Sequence, residues 1–155
     1  MITQFCYKTP VGNLKISVKN DVVVFAKFVG EFEEFCGENE GQKSIKTQLD
    51  EYFSGMRKTF DLKIEPEGTN FQKRVWRELI KIPYGQTKSY TEIAQSLGNR
   101  NFSRAVGNAC NKNPVVVFIP CHRVISKSGK LSGYAYGADI KQQLLDIERR
   151  NTPKS

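Results

Sequence analysis

Residues 120–123 read Pro-Cys-His-Arg, which sets the chain's single histidine, His122, beside one of its four cysteines, Cys121. A cysteine attacks only as its thiolate, and a neighbouring imidazole, guanidinium or helix N-terminus favours that form. His122 titrates near neutrality and can take the thiol proton, while Arg123 adds positive field. In an extended strand adjacent side chains point to opposite faces. Cys121 and His122 therefore cooperate only if Pro120 bends the chain or a water bridges them. The competing reading is an inert buried cysteine beside a surface histidine, because free cysteines commonly behave as small core hydrophobes.

The C-terminal stretch supplies a third residue. At about 100° per residue, Ile147, Ile140, Leu144 and Leu145 fall at roughly −20°, 0°, 40° and 140° around a helix axis, and Glu148 falls at about 80°, inside that apolar arc. A carboxylate facing a core needs a partner, and His122 is the natural one. A Cys–water–His–Glu relay follows, with Glu148 orienting His122 and His122 accepting the thiol proton. The alternative puts Glu148 at the rim, paired with Arg149 or a lysine. No metal is expected. The cysteines, Cys6, Cys36, Cys110 and Cys121, form no C-x-x-C pair, and adjacent Cys121 and His122 are poorly spaced as ligands. Cys6 and Cys36 read as small buried hydrophobes, since disulfides are disfavoured in a reducing cytosol.

The elements that must position these residues divide the chain in two. Ile2–Tyr7, Leu14–Val18 and Val22–Val29 are β-rich runs separated by turn-like residues, an antiparallel meander. Glu31–Gly41 reads as a loop or short helix, Lys43–Phe53 as a helix with Ile45, Leu49, Tyr52 and Phe53 on one stripe, and Thr59–Ile64 as a further strand. Glu65-Pro66-Glu67-Gly68 marks a boundary, giving an N-terminal unit of 1–68 and a C-terminal unit of 69–155. Charge changes at the same place: residues 1–69 hold 9 basic and 11 acidic side chains, residues 70–155 hold 15 and 5. A basic second half fits a polyanion such as nucleic acid, or simply a solvated surface. It reads as helices. Thr69-x-x-Gln72 and Ser89-x-x-Glu92 are capping boxes, Ser103–Lys112 is a helix stopped ahead of Pro114, and two short helices joined through Gly98 fit a helix-turn-helix. Val115–Ile119 is a buried strand or core segment, Ser126–Ser132 a loop or wing, and Asp139 caps a last helix over 140–150. The fold class is α+β. No apolar run approaches the ~18 residues of a membrane helix and no secretory signal is visible, so the cytoplasm is expected.

The run Asn113-Pro114-Val115-Val116-Val117-Phe118-Ile119-Pro120-Cys121-His122-Arg123-Val124-Ile125 strongly resembles the signature of the O6-alkylguanine-DNA alkyltransferases. Tyr84-Gly85-x-Thr87-x-Ser89-Tyr90, Arg104-Ala105-Val106-Gly107, Ser132-Gly133-Tyr134-Ala135-Tyr136-Gly137 and Leu144-Leu145-Asp146-Ile147-Glu148 extend the resemblance across residues 70–150. The first 69 residues match by size and strand–helix order, where the family carries a variable ribonuclease-H-like domain. The resemblance implies a winged-helix-like C-terminal domain and a stoichiometric repair reagent: the alkyl group of O6-alkylguanine, and of O4-alkylthymine, moves irreversibly to Cys121 in a single turnover, without cofactor. It implies His122 as the water-mediated base, Glu148 as its partner, Asn113 as a hinge between recognition helix and active-site segment, and Tyr90 as the residue that rotates the 3′ phosphate and protonates the departing guanine. It makes Arg104 the finger that fills the space left by a flipped nucleotide, with Ala105 and Gly107 small enough for a helix in the minor groove, and Arg123 among the DNA-binding residues. The carbonyls of Cys121 and Val124, the lid residues Tyr134 and Ala135, and the wall residue Cys110 form the implied pocket. The partner is double-stranded DNA containing alkylated guanine, and a monomer is expected. Two other readings remain: a non-enzymatic DNA-binding regulator and a cysteine hydrolase.

Overall fold

The three β-rich runs form one antiparallel sheet in the computed structural model, which describes residues 2–31, 40–129 and 134–152. Strands β1 (Ile2–Thr9), β2 (Gly12–Lys19) and β3 (Val22–Val29) lie in sequence order. Asn20 and Asp21 close the β2–β3 hairpin with φ of 52° and 64°, the left-handed pair that matches the twist of a two-residue hairpin. Helix α1 (Glu40–Phe53) buries Ile45, Leu49, Tyr52 and Phe53, the stripe read from the sequence. Most of Glu31–Gly41 and the thiol of Cys36 lie outside the described residues. Cys6 is buried and unpaired.

The expected strand over Thr59–Ile64 is reduced to one parallel bridge between Ile64 and Val23. The Val23 amide donates to the Lys63 carbonyl at 2.9 Å, and the Val23 carbonyl accepts from the Glu65 amide at 2.9 Å. Pro66 then removes a donor and stops the pairing.

In the second half α2 (Asn70–Ile80) and α3 (Tyr90–Ser96) open on the two expected capping boxes, Thr69/Gln72 and Ser89/Glu92. The α2 residue Trp76 donates its indole N–H to the Ala109 carbonyl of α4 (Ser103–Asn111) at 2.9 Å. That bond ties the two helices together through a buried donor. A short 3-10 turn, Arg100–Phe102, links α3 to α4, and β4 (Lys88–Ser89) pairs in parallel with β5 (Val124–Ile125). The last helix, α5, runs Ala138–Arg150 with Gly137 at its cap. Asp139 sits in its first turn, where it meets the positive end of the helix dipole instead of capping it.

One apolar core runs through both halves of the described chain. Its seam is backbone: the Ala26 amide of β3 donates to the Pro114 carbonyl at 2.9 Å, and the Val116 amide donates back to Ala26 at 3.1 Å. The N-terminal sheet thereby grips the segment leading to Cys121. No helix among the described residues is long and apolar enough to cross a membrane.

Candidate active site

Of the two readings of residues 115–119, a buried strand or a core segment, the second holds: they are buried throughout and fold into a compact turn. The Ile119 amide returns to the Val115 carbonyl at 3.0 Å, and Val117 takes φ 74°. A left-handed β-branched residue is strained, and surroundings must hold it there. Asn113 supplies that hold. Its side-chain carbonyl accepts from the Val115 amide at 2.9 Å and its NH2 donates to the Ile119 carbonyl at 2.8 Å. Asn113 thus ties the end of α4 to both ends of the turn.

Pro120, with φ −83° and ψ 64°, is the centre of an inverse γ-turn that the Cys121 amide closes on the Ile119 carbonyl at 2.8 Å. A 3-10 turn, Cys121–Arg123, follows directly. Pro120 therefore bends the chain, and the strand alternation that would separate Cys121 from His122 does not apply.

Glu148 has no solvent exposure and collects five donors from four residues. His122 Nε2 lies 2.7 Å from its Oε2. Arg123 grips both oxygens, Nε on Oε1 at 2.8 Å and Nη2 on Oε2 at 2.9 Å. The Tyr52 hydroxyl of α1 donates to Oε2 at 2.5 Å and the Gly85 amide donates to Oε1 at 3.2 Å. Burial alone would raise the Glu148 carboxyl, but the hydrogen bond from His122 and the bonds and charge of Arg123 outweigh it and hold the group far below the ordinary carboxylate range. Burial lowers His122 below the usual imidazole value, with Glu148 opposing. The ring is neutral, and an ionised Glu148 can only accept, so Nε2 carries the hydrogen. Nδ1, buried and without a hydrogen-bond partner among the described residues, keeps its lone pair.

Two expectations change here. Arg123, expected to contact DNA, is 6% exposed; besides its fork on Glu148 it donates Nη1 to the Ile82 carbonyl at 2.7 Å. A guanidinium so engaged neutralises a buried carboxylate and offers nothing to a phosphate. For the same reason its charge does not acidify the thiol. Burial pushes the Cys121 thiol, 4% exposed, up to about 11, although Asn113 and Lys141 pull the other way. The resting sulfur is protonated.

Around it, burial raises the Cys110 thiol, with the Cys121 charge adding to the effect. Tyr90, the first residue of α3, is half-buried and pushed up to about 12 by burial and then by the two thiols, so its hydroxyl keeps its proton. Tyr134 is buried with its ring edge-on to Tyr136 at 5.9 Å, while Ala135 is exposed. Ser132 and Gly133 lie outside the described residues. Arg104 and Ala105 are exposed on α4. With Tyr90, Gly107 and Lys127, Arg104 lines an open cleft of about 450 Å³. Val124 is buried, and its carbonyl, the one implied to face guanine, already accepts from Lys141 Nζ at 2.6 Å; a carbonyl has a second lone pair.

Sequence reasoning missed three groups. Lys141 stands over the Tyr90 ring at 5.8 Å, buried, its ammonium lowered by desolvation. At about 100° on the α5 wheel it lies beside Glu148, so the same angular argument would have found it. Tyr52 was legible only as core, since its hydroxyl's reach depends on tertiary packing. The Gly85 amide carries no side-chain signal at all.

Two family models divide the chain between them. One, described as the DNA binding domain of 6-O-methylguanine DNA methyltransferase, matches residues 70–150; the other, described as its ribonuclease-like domain, matches residues 3–66. The chain belongs to the 6-O-methylguanine DNA methyltransferase family. A methylated-DNA–protein-cysteine methyltransferase of Methanosarcina acetivorans is 44% identical over 148 residues, covering 92% of this chain and 95% of the relative. The crystal structure of Mycobacterium tuberculosis O6-methylguanine methyltransferase superposes with a TM-score of 0.89 at 36% identity, covering 100% and 97% of the two chains. The same organism's protein in complex with DNA superposes at 0.87 and 37% identity, over 97% and 94%. As in that family's solved structures, the α+β chain here sets a sheet unit before a helical one, and in this methyltransferase the sheet unit sends Tyr52 into the site.

Proposed function

We propose that this chain repairs DNA directly, taking the methyl or larger alkyl group from O6 of guanine onto Sγ of its own Cys121. The observation that carries the reading is the 2.7 Å His122–Glu148 contact in full burial beside Cys121, which fixes Nδ1 of a neutral imidazole as the free base. The thiol proton passes to that nitrogen through one water, sulfur attacks the alkyl carbon, and the C–O6 bond breaks. Its electron pair leaves with guanine, which takes a proton from the Tyr90 hydroxyl; the proton on His122 restores Tyr90. The product is a thioether, which water does not hydrolyse, so each chain acts once and needs no cofactor.

A stacked base hides its O6, so the nucleotide must leave the duplex, at a cost of about a few kcal/mol. Arg104, exposed on α4 at the mouth of the cleft, is the side chain to fill the gap from the minor groove, with Ala105 and Gly107 letting the helix approach. Cys110, Val124, Tyr134 and Ala135 bound the pocket, and O4-alkylthymine is the smaller-ring substrate. The reading takes residues 1–68 as the supporting unit and 69–155 as the DNA-binding and acceptor unit, of a monomer acting on double-stranded DNA in the cytoplasm. The test is the mass of the Cys121 peptide after incubation with a duplex carrying O6-methylguanine. One added methyl on Cys121, absent in Cys121→Ser, is expected; an unmodified peptide with the lesion intact overturns the reading.

A further inference from the structure

Oε2 of Glu148 serves three donors at once: the imidazole N–H of His122, Nη2 of Arg123 from the same turn, and the phenol of Tyr52, which arrives from α1 in the other half of the chain. We propose that Tyr52 is a positioning residue of the alkyl-transfer site: by drawing charge from that shared oxygen, it sets how strongly Glu148 pulls on His122. The proposal rests on the relay described above, with Cys121 as acceptor and His122 as its base.

A carboxylate oxygen that already accepts a strong O–H donor offers less charge to a second one. Too strong a pull from Glu148 would favour the imidazolium, which has no lone pair for the thiol proton. Tyr52 divides that pull. Its own proton is secure, since burial and the Glu148 charge both hold the phenol well above its ordinary value. The ring cannot drift, because Phe53, Phe60 and Tyr84 pack on it at centroid distances of 4.9, 5.2 and 5.6 Å. The other charged and titratable groups facing this pair are Arg123 from the 3-10 turn, Tyr84 from the loop after α2, and Lys141 from α5. Arg123 already neutralises Glu148 by a two-bond fork, yet it comes from the same turn as His122 and moves with it. Tyr52 is the only one of these donors on the N-terminal unit, which makes the sheet half part of the proton relay.

Tyr52→Phe removes the hydroxyl and keeps the ring. His122 is the chain's single histidine, so its Nε2–H proton resonance reads the His122–Glu148 bond directly. Tyr52→Phe is expected to move that resonance downfield and to shift the acid limb of the transfer rate upward by about one pH unit, a tenfold loss on the limb. Replacing Tyr52 by 3-fluorotyrosine, a stronger donor, is expected to move both in the opposite direction, which a packing role cannot do. Tyr7→Phe removes the other tyrosine bond to α1, at Asp50, and serves as the control; it leaves both readouts in place. A His122 resonance that ignores both Tyr52 variants, or that moves the same way in each, overturns the proposal. The resonance needs no substrate, so a wild-type chain that takes up no alkyl group sinks the functional reading separately.

Discussion

A buried carboxylate is costly unless every lone pair is engaged, and Glu148 meets that cost with five donors. Removing one partner is worse than never having buried the pair. Arg123→Ala is therefore expected to cost about 3–5 kcal/mol in urea unfolding. Arg123→Lys, which cannot reproduce the two-bond fork, recovers only part of it. DNA affinity per folded molecule should stay unchanged in the lysine variant, which checks the inward role of Arg123 against a phosphate contact. The same cluster sets the response to acid. His122 is lowered on folding, so the unfolded chain binds its proton first, and stability falls as pH drops below about 6.5. Glu148 is also lowered on folding. Its contribution is complete above the unfolded carboxyl value of about 4.3 and is lost as pH falls further. Urea midpoints against pH should show both steps, and His122→Gln should remove the first.

Short elements hold the reactive residues, so their caps matter to chemistry as well as to folding. Helix α3 has only seven residues, and Tyr90 is its first. The Ser89 hydroxyl accepts from the Glu92 amide at 3.1 Å, and the Glu92 carboxylate accepts from the Ser89 amide at 3.1 Å. Ser89→Ala is expected to cost about 1 kcal/mol and to slow alkyl transfer through a less fixed Tyr90. The equivalent Thr69→Ala on α2 should cost about as much and leave the transfer rate of folded protein alone. Thermal melts beside single-turnover rates separate the two. Asn113 plays the corresponding part for the active-site turn. Asn113→Ala leaves the Val115 amide buried without its partner, about 1–3 kcal/mol, leaves the Ile119 carbonyl with the Cys121 amide alone, and frees Val117 from its left-handed strain. Transfer should fall further than stability does, as read by the same pair of measurements.

Across the whole molecule, charge and core are distributed differently. The basic side chains concentrate after residue 69, while the apolar core continues through both halves. Binding of the chain to duplex DNA should therefore weaken steeply with salt, with log affinity falling linearly in log salt. A salt titration by fluorescence anisotropy that comes out flat would remove phosphate contacts from the account. Arg104→Ala should slow transfer from duplex DNA far more than from free O6-methylguanine base. Equal losses on the two substrates would deny Arg104 a role in flipping.

Local pattern determined much of this protein. Hairpin residues, capping boxes and helical stripes placed the strands and helices to within a few residues, because each depends on neighbours in sequence. The angular position of Glu148 put a carboxylate in the core and so found the partner of His122; applied to Lys141 it would have found a second buried charge. Tertiary structure decided the rest. Whether Val115–Ile119 ran straight or turned depended on Asn113 reaching across it, and on β3 offering Ala26 to it as a ladder partner. Whether Arg123 faced DNA or the core depended on a carboxylate twenty-five residues away. The protonation of Cys121 followed from burial, which no neighbour in sequence could report. Tyr52 meets Glu148 across ninety-six residues, a distance over which side-chain type predicts packing but not which hydroxyl meets which oxygen.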